Sequence, residues 1–300
     1  MKLLSIAIPC YNSQDYMEKC IESLLVGGEE VEILVVDDGS SDRTTDILAS
    51  YQEHKNVKIE KGNNLGFAKS FLTALDECDE ADYYAFSDQD DVWEKDKLST
   101  AIEILEEESQ STPLLYCSAL QRVDENLNPL HVQSYHGLRI NLPSMLTRGR
   151  LAGCTFVFNN TLRNLVKNSS QIEMHASHDS WVLLACLACG GNVFFDKKPH
   201  ILFRRYNTNT SIDGGKLKSR LKYEFRYFEK YKNNRLDTAC ELLNCYNSNM
   251  SVSSKSFLEK VKNYKSSIRN RIAFLFYKDI NCGIIASDVI TRIIILFGCY

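Results

Sequence analysis

No stretch of this 300-residue chain reaches 18 consecutive apolar residues, the length that a bilayer-spanning helix needs. The apolar stretch near the N-terminus is too short for a secretory signal and is interrupted at Pro9 and Asn12, so we interpret it as a first strand. The eleven cysteines have no framework spacing, and their odd number favours free thiols in a reducing compartment. Together these absences predict a cytoplasmic protein.

Two nucleotide-binding signatures are also missing from the chain. No GxGxxG follows the first predicted strand, which disfavours a dinucleotide-binding domain, and no GxxxxGK[ST] occurs, which excludes a P-loop. A nucleotidyltransferase is disfavoured because the glycine-rich loop and the lysine of that class are absent after the first strand. We also expect no nucleic acid among the partners.

Charge is divided unevenly along the chain. Residues 1–215 have a net charge of −13, whereas residues 216–300 carry 16 Lys and Arg against 7 Asp and Glu, a net charge of +9. A basic tail on an acidic body favours contact with an anionic surface. A solvated pair of charged helices is the alternative.

Apolar runs alternate with helical patterns over the first hundred residues. This β-α-β-α-β-α-β order predicts an α/β fold with a doubly wound, mostly parallel sheet and helices on both faces. The four predicted strands are Leu3–Ile8, Val31–Val36, Val57–Ile59 and Tyr83–Phe86.

Polar residues follow each of these four strands, and the carboxyl ends of such strands form the usual ligand crevice. The strongest signal is Ser87-Asp88-Gln89-Asp90-Asp91, three carboxylates within four residues. Like charges so close together fit a divalent cation, which prefers oxygen ligands. A solvated acidic turn with a helix cap is the alternative interpretation.

Further along, the pattern is less regular. We predict strands at Leu114–Ala119, Leu151–Phe158, Phe194-Phe195 and Ile201–Arg205, and a basic helical region from about residue 216.

Four ordered motifs resemble those of inverting family 2 glycosyltransferases with the GT-A fold. The motifs are Ser5–Asn12, Ile33–Asp42, Asn63–Ala68 and Phe86–Trp93. The chain is similar in particular to bacterial rhamnosyltransferase-like enzymes of surface polysaccharide synthesis, which often have an aspartate-glutamine-aspartate-aspartate run and a later histidine-aspartate-tryptophan motif. The resemblance covers residues 1 to about 210.

The resemblance implies a donor site on the four loops. Asp90 is the expected ligand of Mg²⁺ or Mn²⁺, Asp88 contacts metal or ribose, and Asp91 either caps the next helix or contacts the sugar. The other residues implied in binding the nucleotide-sugar are Pro9, Tyr11, Asn12, Asp38, Asn63, Gly66 and Arg204. Asp37 is expected to cap the following helix.

The acceptor side is implied by later residues. Asp179 aligns with the catalytic base of the family, and a simple N-cap is its alternative role; His178 is expected to support the site. Trp181 forms either an acceptor platform or part of the core, and Gly153 lies on a strand near the acceptor. Tyr206 takes the position of a histidine that often follows the arginine, so a histidine metal ligand is not expected.

We therefore predict a catalytic GT-A domain at residues 1–212, with a nucleotide-sugar half at 1–100 and an acceptor half at 101–212, and a basic helical region at 213–300. The expected donor is a UDP- or dTDP-sugar, and the expected acceptor is a saccharide or lipid-linked saccharide in O-antigen or capsule assembly. A catalytically inactive relative that binds nucleotide-sugar or glycan is the alternative function.

The basic C-terminal region predicts where in the cell the protein acts. Basic residues from Lys255 to Arg271 alternate with apolar ones, which predicts a basic amphipathic helix on an anionic membrane, with Ile293–Phe297 adding depth. We expect a peripheral protein on the inner face of the cytoplasmic membrane. The alternatives are packing on the catalytic domain or a contact within a homo-oligomer.

Overall fold

The computed structural model of the protein describes residues 2–28, 30–206 and 217–300. Over these residues nine strands form one mixed sheet in the order β3-β2-β1-β4-β8-β6-β9-β5, with β7 paired to β6. The strands are β1 Lys2–Cys10, β2 Val31–Asp37, β3 Val57–Lys61, β4 Ala81–Phe86, β5 Val92–Trp93, β6 Leu114–Val123, β7 Pro129–Val132, β8 Val157–Asn159 and β9 Asn192–Arg204.

Twelve α-helices accompany the sheet in the described part of the chain. They are α1 Met17–Leu25, α2 Thr44–Ser50, α3 Phe67–Glu77, α4 Lys97–Glu106, α5 Leu142–Thr147, α6 Asn160–Val166, α7 His178–Ala188, α8 Leu217–Lys230, α9 Asn234–Tyr246, α10 Val252–Asn263, α11 Ile268–Leu275 and α12 Ile285–Leu296.

The first four strands confirm the predicted doubly wound half of the fold. They are all parallel, and each of β1 and β2 is an almost continuous buried apolar run, as expected when helices cover both sheet faces. Cys10 at the end of β1 pairs with Asp37 at the end of β2, which pairs with Lys61 at the end of β3. The loops after these strands therefore start at the same edge of the sheet.

Three predicted strands differ from the structure. Residues predicted as the first half of a strand at 151–158 form a 3-10 turn at Gly153–Thr155, because the Thr155 hydroxyl and backbone N–H both donate to the carbonyl of Ala152. The short predicted strands at Phe194-Phe195 and Ile201–Arg205 are one strand, β9. It continues through Pro199, where the pairing with β6 shifts in register.

The chain divides into two compact units that are discontinuous in sequence. The first comprises residues 1–134, 151–173 and 191–207, and contains the sheet. The second comprises residues 135–150, 174–190 and 208–300, so α5 and α7 pack with the C-terminal helices. The predicted domain boundary at 212/213 lies outside the described residues, and that division stays a prediction.

The second unit contains the predicted C-terminal helical region. The single amphipathic helix expected from Lys255 onward is instead two helices, because Ser267 caps a new helix by accepting from the backbone N–H of Asn270 at 3.1 Å. Phe257, Leu258, Val261, Tyr264 and Phe274 are buried within the unit. No helix of the described residues is both long enough and apolar enough to cross a membrane.

Candidate active site

Gln89 joins the loop after β4 to the loop after β1. Its side-chain oxygen accepts from the backbone N–H of Tyr11 at 2.7 Å, and its side-chain nitrogen donates to the carbonyl of Tyr11 at 3.4 Å. The side-chain amide of Gln89 therefore bonds both the backbone N–H and the backbone carbonyl of Tyr11. The Tyr11 side chain is half exposed just after the carboxyl end of β1, and its contact with the nucleoside stays a prediction.

Asn12 joins the loop after β1 to the loop after β2. Its backbone has φ of 48°, a left-handed conformation that asparagine tolerates better than most residues. The side-chain oxygen accepts from the backbone N–H of Ser41 at 2.8 Å, and the Asn12 N–H donates to the Ser40 hydroxyl at 2.9 Å. Through these two bonds, Asn12 stabilises the conformation of the loop that follows β2.

Asp38 joins the loop after β2 to the loop after β3. One oxygen accepts from the backbone N–H of Asn64 at 3.2 Å, and the other accepts from the Ser70 hydroxyl in α3. A Cβ at Gly62 would stand 2.1 Å from the Asp38 oxygen, so glycine makes room for this carboxylate. The neighbouring Asp37 accepts from the N–H and hydroxyl of Ser40 and does not cap the next helix as predicted, because α2 begins at Thr44 with Arg43 as its N-cap.

The remaining loop residues predicted for donor binding are placed as follows. Asn63 and Gly66 are exposed in the loop before α3, and Gly66 has φ of 85°, which only glycine adopts readily. Pro9 is part of β1 itself, paired with Val36 and half-buried. These positions lie on the same edge as Tyr11 and Asp38, and their donor contacts stay predictions.

Among the described residues, one group of three metal-ligating side chains comes together, formed by Asp88, Asp91 and Cys154. Their ligand atoms all lie within 4.8 Å of one another. Asp91 is fully buried and neither of its carboxyl oxygens has a hydrogen bond. Burial, followed by the charge of Asp88, raises the pKa of the Asp91 carboxyl well above its usual range.

Lys97 brings a buried amine to the same cluster. Its side-chain nitrogen donates to the Cys154 carbonyl at 2.8 Å and lies 3.1 Å from the centre of the Trp93 ring. Burial lowers the pKa of Lys97 well below its usual range, although the charge of Asp91 opposes this. Asp91 does not cap the next helix, because α4 begins at Lys97 with Asp96 as its N-cap.

The cluster fits a divalent cation. Buried carboxyl oxygens without donors are unfavourable, and a hard cation would satisfy them. Burial raises the pKa of the Cys154 thiol well above its usual range, so a neutral thiol leaves the carboxylates as the suitable ligands. Gly153, predicted to lie near the acceptor, directly precedes Cys154 in the buried 3-10 turn.

Asp90, the expected metal ligand, lies outside this group of three. Its carboxylate accepts from the Tyr206 hydroxyl at 2.9 Å, and its carbonyl accepts from Nε of Arg204 at 2.8 Å. Arg204 is buried, donates also to the carbonyl of Glu125 at 2.6 Å and lies over the Tyr16 ring. Arg204 therefore bonds the main chain of the loop that contains Asp90. Its contact with a donor phosphate stays a prediction.

In the second unit, Asp179 lies in the first turn of α7. One carboxyl oxygen accepts from the Ser177 hydroxyl at 2.5 Å and from the backbone N–H of Ser180 at 2.7 Å. His178 is buried, which lowers its pKa to about 4 against the opposing charge of Asp179. Trp181 is fully buried against Tyr246, which is the core position rather than an exposed platform.

Sequence reasoning missed three residues of the site. Gln89 stands inside the acidic motif, and its amide between aspartates was a usable signal. Lys97 and Cys154 were not predicted, because nothing in a helical lysine or a cysteine 57 residues later indicates that the two meet.

Comparison with known proteins gives a family match over the first half of the chain. Residues 5–144 match the family model described as Glycosyl transferase family 2. TuaG of Bacillus subtilis, a glycosyltransferase named for teichuronic acid biosynthesis, is 36% identical over 110 residues, which are 36% of this chain and 43% of TuaG.

Two other relatives are named for their reactions. WfaP of Escherichia coli, a UDP-Glc:alpha-D-GlcNAc-diphosphoundecaprenol beta-1,3-glucosyltransferase, is 34% identical over 109 residues, 36% of this chain and 43% of WfaP. TarS of Staphylococcus aureus, a poly(ribitol-phosphate) beta-N-acetylglucosaminyltransferase, is 31% identical over 120 residues, 38% of this chain and 21% of TarS. The chain thus spans less than half the length of these relatives.

The fold is also that of a solved structure. Residues 1–349 of S. aureus TarS in complex with UDP-GlcNAc match with a TM-score of 0.55 at 18% identity, over 99% of this chain and 91% of that one. The predicted mixed α/β GT-A fold with a helical C-terminal region is therefore confirmed.

Proposed function

We propose that the protein, whose residues 5–144 match the model of glycosyl transferase family 2, moves a sugar from a nucleotide-diphosphate donor to a saccharide hydroxyl. The observation that carries the proposal is the convergence of four loops at one sheet edge. Tyr11, Asn12, Asp38 and Gln89 bond these loops together beside the acidic cluster. Such cross-linked loops hold binding groups in place before the donor arrives.

The proposed chemistry is an inverting, in-line displacement at the anomeric carbon. Asp88 and Asp90, as predicted from the sequence, and Asp91 are the residues that would hold Mg²⁺ or Mn²⁺. A divalent cation held there would neutralise the diphosphate as it leaves. Asp179 takes the proton of the acceptor hydroxyl, and the Ser177 hydroxyl orients its carboxylate.

The substrate class follows the relatives. TarS has been solved with UDP-GlcNAc and WfaP is named for a UDP-Glc donor. We propose a UDP- or dTDP-sugar donor and a saccharide or lipid-linked saccharide acceptor, in the assembly of a bacterial surface polysaccharide such as O-antigen or capsule. The names of TuaG and WfaP support the polysaccharide assignment.

The proposed location is the inner face of the cytoplasmic membrane. The support is a set of exposed apolar side chains on α11 and α12, in a region with a net charge of +9. On α11 and its end these are Ile268, Ile272 and Phe276, and on α12 and its end they are Ile285, Val289, Ile293, Leu296 and Phe297. We call this set the α11–α12 apolar face.

Substituting the two central carboxylates separates binding from chemistry. Asp179→Asn should lower turnover by about a hundredfold or more, because a general base contributes roughly 10²–10⁴-fold. Its UDP affinity should stay within about twofold of the wild type. Asp88→Asn should lose both turnover and metal-dependent UDP binding, measured by nucleotide release and by calorimetry with Mn²⁺.

Asp237→Asn is the matched control, since Asp237 also lies in the first turn of a helix in the second unit. It should behave as the wild type. Undiminished turnover in Asp179→Asn would exclude Asp179 as the base. Wild-type protein that binds donor sugars but never turns them over, with any saccharide acceptor offered, would favour the inactive binding module.

A further inference from the structure

A second candidate site lies within the helical unit. A cavity of about 160 Å³ is lined by residues of α5, α7, α8 and α9 and their connecting loops. It is smaller than the roughly 300–1,000 Å³ of pockets for drug-sized ligands, so it suits a single small ring. Its polar and aromatic wall includes Ser177, Ser180, Tyr227, Tyr231, Asn234 and Arg235. We call it the helical pocket.

Arg235 is the most unusual group in the helical pocket. Its side chain is only 4% exposed, yet no carboxylate of the described residues lies within 4.0 Å of the guanidinium. Nε donates to the Thr147 carbonyl at 2.9 Å, and the group stacks over the Phe228 ring at 4.1 Å. A buried cation without an anionic partner is costly, which points to an anion supplied by a ligand.

The neighbouring acidic side chains already have partners. Glu224, whose charge acts on Arg235, forms its ion pair with Arg148 at 3.4 Å. Glu241 lies 2.5 Å from Nδ1 of His175 at the pocket wall. Arg148, Arg235 and Glu224 together carry one net positive charge. Because Glu224 pairs with Arg148, this charge remains on Arg235, whose side chain lines the cavity.

The other walls suit a sugar ring. Asn234 is held by a bond from its side-chain nitrogen to the His175 carbonyl at 2.6 Å and by the Thr238 hydroxyl at 3.2 Å. Amide and hydroxyl groups can both donate to and accept from sugar hydroxyls. Tyr231 and Tyr227 add aromatic surface, with ring centres 4.8 Å apart.

We propose that the helical pocket binds an anionic saccharide unit, a sugar bearing a phosphate or carboxylate group, with Arg235 contacting the anion. The pocket adjoins the proposed base, because Ser177 and Ser180 line it and both bond Asp179. This assignment to the acceptor rests on the proposed function. The anion-binding property itself does not, and the experiment tests the two apart.

The test measures binding of small probes to the full chain by saturation-transfer NMR. Glucose 6-phosphate and glucuronic acid should bind about tenfold or more tightly than glucose, and more tightly than inorganic phosphate alone. The two anionic probes distinguish phosphate from carboxylate. Arg235→Gln should remove the preference for anionic sugars while leaving UDP binding unchanged.

A second variant guards against misfolding of Arg235→Gln. A Cβ at Gly149 would meet the Ser180 hydroxyl at an ordinary 3.4 Å, so Gly149→Val fills the pocket with Arg235 intact. It should weaken every sugar probe. Arg292→Gln is the matched control, because Arg292 also bonds carbonyls in the helical unit but lies outside the pocket.

Equal binding of glucose and the anionic sugars would overturn the proposal. So would equal binding of inorganic phosphate and glucose 6-phosphate, or sugar binding that survives in Gly149→Val. A chain that lacks transferase activity but binds anionic sugars through Arg235 would contradict the proposed function and leave the helical pocket standing.

Discussion

Single side chains hold the backbone of the candidate site in place. Gln89, Asn12 and Asp38 each bond a backbone N–H of a different loop, and Arg204 bonds two carbonyls. A side chain that bonds backbone orders a whole loop at the cost of its own few rotamers. The loops therefore present their remaining polar groups in a defined arrangement before any ligand binds.

In the second unit, two glycines allow two segments of the main chain to approach each other closely. Gly283 and Gly137 both have positive φ, and a Cβ on Gly283 would lie 1.7 Å from the Gly137 carbonyl. Gly283→Ala should therefore lower the free energy of unfolding by about 3 kcal/mol or more, through the left-handed conformation and the steric clash together. Urea denaturation followed by circular dichroism measures the change.

Gly190→Ala is the control for that substitution. Gly190 follows α7 with φ of 79°, like Gly283, but a Cβ there has no atom within 4 Å. It should lower the free energy of unfolding by only about 1 kcal/mol. If the two variants lose equal stability, backbone conformation alone explains the requirement for glycine, and the close approach contributes nothing.

At the scale of elements, a network of polar and charged side chains around the buried His200 joins β9 to α4. His200, fully buried on β9, lies 2.8 Å from Asp96 at the α4 N-cap and 3.0 Å from Asp196 on its own strand. Lys198 lies 2.5 Å from Asp96. The bonds from Lys198 and then His200 lower the pKa of Asp96 to about 2. The network thus fixes the helix that carries Lys97.

The lowered pKa of Asp96 predicts a pH dependence of stability. Because this pKa lies below its unfolded value, the charged carboxylate stabilises the fold above about pH 4, and that contribution is lost as the pH falls toward 2. Asp96→Asn should therefore be less stable than the wild type at pH 6, by a difference that narrows below pH 4. Urea unfolding from pH 6 to pH 2.5 measures both proteins; a difference independent of pH would contradict this origin.

At the scale of the whole molecule, charge and exposed apolar surface coincide in the helical unit. Residues 216–300 carry the excess of positive charge, and the α11–α12 apolar face is exposed, with Phe276 and Phe297 each 76% accessible. Apolar side chains can insert at the headgroup boundary while basic groups attract anionic lipid. This combination is the physical basis of the proposed membrane location.

Removing two aromatic rings tests that location. The double variant Phe276→Ser and Phe297→Ser should co-sediment with phosphatidylglycerol vesicles several-fold less than the wild type does. The wild type should bind phosphatidylcholine vesicles only weakly. Val252→Ser is the control, because Val252 is 88% exposed on α10, outside this face. Unchanged sedimentation of the double variant would contradict membrane docking through this face, and a loss of dimer in size-exclusion chromatography would assign it to self-association.

Much of the first unit could be predicted from local sequence. Continuous apolar runs such as Val31–Val36 indicate buried parallel strands because a strand covered on both faces has no polar side, and the motifs after them indicated the loop positions. The turn at Gly153–Thr155 could not be predicted, since its apolar residues are equally typical of a strand and the Thr155 bond to Ala152 decides the outcome. The pairing of Asp90 with Tyr206 joins residues 116 apart and has no local signal.

The sequence by itself determined the alternation of strands and helices, the order of the polar loops and the family of residues 5–144, because these depend on local periodicity and on contiguous motifs. Only the tertiary structure decided which carboxylates come together, that Lys97 meets Cys154, and that Arg235 lines a cavity whose described residues include no carboxylate. Burial and ion pairing depend on residues distant in the chain. The electrostatic cost of a buried charge can therefore be assessed only once those neighbours are known.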